Sequence, residues 1–363
     1  MFKIIGFLFS LINGQGLTPI FIDGQSYDNV NLELSAGTIR GRRLNDYPVD
    51  IYRAVPYASV PRRFEMAEMI EQFPGRNTFD ARDKGPTCLR YPLPGEELGE
   101  MSEDCLTLDI YIPQNEETDR GILVWIHGGG YVSGDSSYYS GIEQAVRYGN
   151  IVISIQYRLG VIGFLHHFEN ETVGGNYGLG DAALALRFVA ENAALMGGDA
   201  DKIVINGESA GSGVVMALLL HKPSTDIISG AIAQSGGTLL NFLGSMSTQP
   251  NQPINKEGIN EEINEMCFRL SNCDNSTSVL NQLEQLKSVD GGELFDIGQE
   301  KGLLWAPVPK DGIFWTENAL EKYMNNELNT GFKLFTGFNS YEGSIAEGFF
   351  IDSPLNNQQI YGK

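Results

Sequence analysis

Short runs of apolar, largely β-branched residues recur along this chain, at 106–112, 122–126, 151–157, 202–205, 230–233 and 332–337. Several are near-continuous rather than alternating, which is the pattern of strands buried on both faces of a sheet. Stretches of helical period separate them. In 181–196, Ala183, Leu186, Phe188, Val189 and Ala193 share one broad face, with Asp181 placed as N-cap and Gly197-Gly198 as the stop. Strands alternating with helices predict βαβ units and a mostly parallel sheet, an α/β fold. Residues 19–60 read instead as short strands and turns, an antiparallel edge to that sheet. The Asn-, Gln- and Glu-rich stretch from 241 to 299 predicts a helical insertion over it. No internal repeat or linker composition divides the chain, so 17–363 is expected to form one domain.

The 363 residues are 42% hydrophobic and 20% charged, the make-up of a globular protein with a sizeable core. A formal net charge of −21 argues against nucleic acid as the main partner and reads as a soluble, secreted surface. The first residues agree. Met1-Phe2-Lys3 carries one positive charge, 4–12 is an apolar run broken only by Gly6 and Ser10, and Gly14 and Gly16 follow. This is the layout of a secretory signal peptide, expected over 1–16, and the run is too short to span a bilayer. No later stretch suggests a membrane anchor. Cys88, Cys105, Cys267 and Cys273 form an even set behind that segment and predict two disulfides, although four cysteines allow three pairings and the sequence does not choose. There is no Cys-x-x-Cys and no His/Cys cluster, so neither a metal nor an organic cofactor is expected. The sequons at Asn170 and Asn275 fit glycosylation on the secretory route.

The sharpest chemical signal is Gly207-Glu208-Ser209-Ala210-Gly211, set between the strand-like 202–205 and the helical run 212–220. In a strand–turn–helix context this pattern is a nucleophile elbow: the serine sits on a strained turn that lifts its hydroxyl out of the sheet, and the residues two before and two after must lack bulk. The N-terminus of the following helix helps to stabilise negative charge. A second signal, His127-Gly128-Gly129-Gly130, directly follows the strand 122–126. Its exposed backbone N–H groups, with that of Ala210, can point at a carbonyl oxygen as it becomes negative. A phosphate-cradling loop is excluded, since no Gly-Lys-Ser/Thr ending follows and no Gly-x-Gly-x-x-Gly stands before a ribose-binding acid.

In these and further segments the chain resembles the type-B carboxylesterases, a family that includes the cholinesterases, within the α/β-hydrolase fold. The resemblance rests on Arg53-Ala54-Val55-Pro56-Tyr57-Ala58 with Arg63-Phe64, on Ser102-Glu103-Asp104-Cys105-Leu106 and on Trp125-Ile126-His127-Gly128-Gly129-Gly130. Tyr157-Arg158-Leu159-Gly160, Gly163-Phe164-Leu165 and Gly175-Asn176-Tyr177-Gly178-Leu179-Gly180-Asp181 continue it. The elbow, Ala233-Gln234-Ser235-Gly236 and Gly337-Phe338-Asn339-Ser340-Tyr341-Glu342-Gly343 complete it. It runs from about residue 30 to 345 and implies an α/β-hydrolase fold with a mostly parallel central sheet. It implies Ser209 as an acyl-forming nucleophile, Gly129, Gly130 and Ala210 as oxyanion-hole donors, and Glu342 as the acid that orients a catalytic histidine. It also pairs Cys88 with Cys105 and Cys267 with Cys273. The function it implies is a secreted serine hydrolase of small-molecule carboxylic esters. The alternative is an inactive cholinesterase-like binding or adhesion module. Oligomeric state and the particular ester are not legible.

The departures from the family pattern are informative. The family draws its base histidine from beyond the position of Glu342, and none of His127, His166, His167 and His221 fits that order. His221 follows Ser209 by a helix of twelve residues, roughly 18 Å at 1.5 Å per residue, against the 3 Å or so that proton transfer needs. The base is therefore expected to be absent from these residues, the sequence to be an incomplete copy of a longer protein, and its own turnover to be negligible. The loop between Cys88 and Cys105 holds no Trp, only Tyr91, so choline esters are not indicated. Asn206 and Phe188 stand where the family usually has a bulky apolar residue and a Trp.

Overall fold

The computed structural model describes residues 26–75, 78–92, 97–115, 117–165, 175–236, 256–300, 306–308, 310–325 and 331–339. One large mixed sheet organises them. Its strands are β1 (Tyr27–Leu34), β2 (Gly37–Leu44), β3 (Val49–Pro56), β4 (Thr107–Pro113), β5 (Arg120–Ile126), β6 (Ile151–Ile155), β7 (Gly198–Glu208), β8 (Ile228–Gln234) and β9 (Lys333–Gly337). The spatial order is β1-β2-β3-β4-β6-β5-β7-β8-β9, with the short strand Thr78–Asp80 added to β2. From β1 to β6 every pairing is antiparallel, and from β6 to β9 every pairing is parallel. The expected antiparallel N-terminal edge and parallel remainder are both present.

Helices cover the sheet: α1 (Ile142–Tyr148), α2 (Gly160–Phe164), α3 (Tyr177–Asn192) and α4 (Ala210–Leu219), then α5 (Lys256–Arg269), α6 (Val279–Leu286) and α7 (Gly291–Glu300) of the insertion, and α8 (Ala319–Met324). Helix α4 follows β7 directly, and its Val214, Val215, Ala217 and Leu218 are fully buried. Arg63 is one of the side chains that fasten the insertion, beside Arg62, which pairs with Glu284 of α6. Arg63 pairs with Glu103 and donates from Nη1 to the carbonyls of Leu286 and Val289, each at 2.7 Å.

Two sequence expectations are corrected, the burial of β5 and β7 on both faces and the helix cap at Asp181. Only β6 is buried along its whole length; β5 and β7 alternate, with Leu123, Trp125, Val204 and Asn206 half-buried, because among the described residues α4 packs on one face of this region. Strand β9 is exposed, with Leu334 at 43% and Phe335 at 67%, since β8 is its one strand partner among the described residues. Asp181 is not an N-cap. Helix α3 starts four residues earlier, at Tyr177, which puts Asp181 in its second turn with no exposure. There its carboxylate accepts three bonds from Arg158, from the backbone N (3.0 Å), Nε (2.8 Å) and Nη2 (2.7 Å). The stop is where expected, reached through a 3₁₀ turn: Gly197 takes φ +77° and the N–H of Gly198 donates to the Ala193 carbonyl at 2.8 Å. Both disulfides implied by the resemblance are present, Cys88–Cys105 and Cys267–Cys273.

The Arg158–Asp181 pair is buried on both sides, whereas Arg187–Glu191 on the same helix is exposed. Removing one member of a buried pair strands the other charge, a cost of about 3–5 kcal/mol, while an exposed i,i+4 pair is worth about 0.3–0.5 kcal/mol. Asp181→Ala is accordingly expected to lower unfolding free energy in urea by about 3–5 kcal/mol, and Glu191→Ala by less than about 1 kcal/mol. Equal losses would show that the buried pair does not anchor α3.

Candidate active site

Strand β7 ends at Glu208 and α4 begins at Ala210, so the whole turn between them is Ser209. It adopts φ +54° and ψ −123°, a left-handed conformation that a non-glycine residue holds only when its surroundings enforce it. Two hydrogen bonds do so: Ser209 N–H donates to the Gln234 carbonyl of β8 at 2.9 Å, and the Ser209 carbonyl accepts from Gly213 N–H at 3.1 Å. The strand thus continues into the serine on one side and the helix starts from it on the other. The side chain is left at the C-terminal end of the parallel strands and at the helix N-terminus, where developing negative charge is favoured.

Beside the elbow lies the glycine-rich loop that follows β5. A methyl group on Gly211 would strike the Ile126 carbonyl oxygen and lie 2.7 Å from that of His127. One on Gly128 would lie 2.6 Å from the Glu208 carbonyl oxygen and 3.1 Å from Ser209 Cβ. The two turns therefore touch backbone to backbone, and this contact, rather than local flexibility, demands glycine. Gly129 and Gly130 adopt φ +113° and +64°, and the Gly129 carbonyl turns inward to accept from Val132 and Ser133 N–H at 3.1 and 2.9 Å. Among the described residues, the N–H groups of Gly129, Gly130 and Ala210 donate to no protein acceptor. Three unused donors around a lifted hydroxyl can stabilise an oxyanion formed from a carbonyl attacked there.

The structure brings Ser209, Ala210, Gly129 and Gly130 together. Glu342, Asn170, His166, His167 and the segment 1–16 lie outside the described residues. The two remaining histidines are occupied elsewhere. His127 is fully buried; its Nδ1 is 2.9 Å from the Gly128 carbonyl oxygen, its ring stacks on Tyr157 at 4.6 Å, and burial lowers its pKa. His221, past the far end of α4, stacks on Phe314 at 4.3 Å and has Nδ1 2.8 Å from Ser224 Oγ. Burial pushes its pKa down to about 4, so it is neutral at ordinary pH. Tyr91, the aromatic residue of the first disulfide loop, packs on Phe295 of α7 at 5.3 Å.

Sequence reasoning noted Asn206 as unusual without finding its partner. Gln234 Nε2 donates to Asn206 Oδ1 at 2.8 Å across β7 and β8, under the elbow. It also missed what supports the oxyanion loop. Tyr157 donates its hydroxyl proton to the His127 carbonyl at 2.9 Å, and Gln156 and Asp135 form a buried pair behind it. Gln156, a polar residue directly after the buried strand β6, was the one available sign.

The family model described as "Carboxylesterase family" matches residues 28–361. A medium-chain fatty acyl-CoA hydrolase precursor from Anas platyrhynchos is 29% identical over 343 residues, 89% of this chain and 58% of its own length. Carboxylesterase 1C from Rattus norvegicus is 30% identical over 351 residues, 90% of this chain and 60% of its own length. The chain therefore spans about three fifths of the length of these relatives. A solved PNB esterase structure superposes with a TM-score of 0.72 at 27% identity, over 91% of this chain and 67% of that one, and matches the α/β-hydrolase architecture.

The backbone contact between the two turns yields a direct test. Gly211→Ala is expected to cost at least the 1–3 kcal/mol or so of an overpacked core site and to displace the glycine-rich loop, read as a lowered melting temperature. Gly99→Ala, where nothing lies within 4 Å of the added methyl, is expected to leave melting unchanged. Two indistinguishable melting curves would refute the contact.

Proposed function

The chain belongs to the carboxylesterase family, and from that premise we propose that it is a secreted serine carboxylic-ester hydrolase working through an acyl-enzyme on Ser209. One observation carries the reading: a serine held in a left-handed turn at a helix N-terminus, abutting a glycine loop with unused N–H donors. In the proposed reaction Ser209 Oγ attacks the ester carbonyl carbon and its proton passes to a base. The carbonyl oxygen becomes an oxyanion that accepts from Gly129, Gly130 and Ala210. Collapse expels the alcohol, which takes the proton, and water then cleaves the acyl-serine by the same steps. Glu342 is the acid that orients the base.

That base is none of the four histidines of this sequence. His127 and His221 are committed to other partners. His166 and His167 precede the serine in the chain, against the order serine, acid, histidine of α/β-hydrolase triads. Without a base, catalysis falls to what oxyanion stabilisation and binding supply, about 10³–10⁴-fold over water. The substrate class is a small-molecule ester. With Tyr91 packed against α7, no aromatic residue of the first disulfide loop is offered to a quaternary ammonium.

Export is supported by the two disulfides and by Asn275, exposed in a turn of the insertion. The reading includes removal of 1–16 as a signal peptide, glycosylation at Asn170 and Asn275, and one esterase domain over 17–363. Among the described residues no helix is long and apolar enough to cross a membrane, and no His/Cys/Asp/Glu group could hold a metal.

Two measurements test the proposal. A fluorophosphonate probe incubated with a full-length preparation, which supplies the base, is expected to leave a covalent adduct on the Ser209 peptide, absent from Ser209→Ala; an unlabelled Ser209 there would turn the reading towards a binding module. Hydrolysis of a short-chain nitrophenyl ester by this chain alone should stay within about 10⁴-fold of the water rate and be unaffected by replacing both His166 and His167 with Ala. A large loss in that double variant would mean that one of them is the base.

A further inference from the structure

His127, buried behind the glycine-rich loop, is asked for more hydrogen bonds than a neutral ring can make. Its Nδ1 lies 2.9 Å from the Gly128 carbonyl oxygen, which can only accept, so that contact calls for a proton on Nδ1. On the other side, His127 Nε2 and Gln156 Oε1 are both buried and neither meets a partner. The Gln156 amide cannot turn round to help, because its Nε2 donates to Asp135 Oδ1 at 2.8 Å. Asp135 is fixed in its turn, accepting from Ser137 N–H at 2.8 Å and Ser137 Oγ–H at 2.7 Å. The ring cannot swing away: Tyr157 stacks on it, and Gly134, at φ +107°, leaves no room for even a methyl group beside Nδ1.

A neutral imidazole carries one N–H. With the proton on Nδ1, the lone pairs of Nε2 and Gln156 Oε1 are both left without a donor. With it on Nε2, the Nδ1 lone pair faces the Gly128 carbonyl. The imidazolium satisfies both at once.

We propose that Asp135 and Gln156 are positioning residues of the oxyanion loop that act through His127: a proton bound between His127 Nε2 and Gln156 Oε1 completes a hydrogen-bonded chain from Asp135 to the Gly128 carbonyl and locks the loop against Ser209. The loop's importance rests on the oxyanion role proposed above, while the chain itself does not depend on that role. The charged and titratable groups facing the ring act in both directions. The Asp135 carboxylate favours the proton, and the Arg90 guanidinium, 4.0 Å from that carboxylate, opposes it. Tyr157 stays neutral because burial drives its pKa far up, and Glu208 lies across Gly128 at the elbow. Burial of the ring is the largest influence and sets its proton affinity below the ordinary value of 6.5, so the lock closes on the acid side. The unfolded chain takes its proton first as pH falls, so global stability declines over the range in which the loop tightens.

The test is an NMR titration of the whole chain with ¹⁵N-labelled histidine. His127 is assigned by its loss in His127→Gln or, should that variant not fold, by substituting His166, His167 and His221 in turn. The wild type is expected to begin as the Nδ1–H tautomer and to pass to the imidazolium through one midpoint below 6.5. Gln156→Met, which removes the acceptor, should lower that midpoint by about one pH unit, a tenfold loss of proton affinity. Gln156→Glu, which restores an acceptor, should not. A ring that stays in the Nε2–H tautomer throughout, or a midpoint that Gln156→Met leaves in place, would overturn the proposal. Since the readout is protonation and not turnover, failure of the esterase reading would show separately, as an unlabelled Ser209.

Discussion

A single buried carboxylate, that of Asp181, holds together the parts of the molecule on which the site depends. It fixes the backbone and guanidinium of Arg158, whose Nη1 also donates to the Glu65 carbonyl at 2.8 Å. Helix α3, the segment leaving β6 and the loop before α3's outer face are joined at this point. The neighbouring residue, Tyr157, bonds the His127 carbonyl and stacks on its ring, so the position of the oxyanion loop is set from the same junction. Desolvating two charges is unfavourable in isolation, but four donor contacts from one guanidinium and its own backbone amide compensate here. Such a pair specifies geometry, because any displacement leaves a charge unmet in the core.

The strain at Ser209 is carried by structure on both sides. β7 delivers the residue already hydrogen-bonded to β8, and α4 departs from it at once, so relaxing its φ would break sheet and helix together. The oxyanion loop meets this turn through backbone atoms, a contact with little tolerance for rearrangement. Preorganisation of this kind means that donors need not be reorganised as charge appears.

Much of this was legible in the sequence because it depends on local chemistry. Glycines at fixed offsets around a serine, and a triple glycine after an apolar run, can be read without knowing the fold. The pairing of both disulfides came through likeness to a family, not through spacing, and the order of the strands was not legible at all. What escaped was long-range. Asp181 satisfies every local criterion for a helix cap, yet its partner lies 23 residues upstream and draws it inside the second turn. The apolar run 122–126 does not announce that Leu123 and Trp125 are less covered than Ile122 and Val124, since that depends on which helices pack where. Gln156 and Asp135 are 21 residues apart, and only tertiary structure makes them neighbours.

The strand order carries a consequence for synthesis on the ribosome. β4 and β5 are joined by a short connection, yet β6, which is made later, stands between them. Two strands that emerge together and could pair must instead leave a gap of one strand's width until Ile151–Ile155 has been translated. The incoming strand, buried throughout and apolar but for Ser154, then has to slot between them, parallel to β5 and antiparallel to β4. The nascent chain is thus exposed to mispairing across β4 and β5 for as long as translation takes to bridge residues 127 to 155, and that interval contains the glycine-rich loop that Tyr157, just past the inserted strand, goes on to hold.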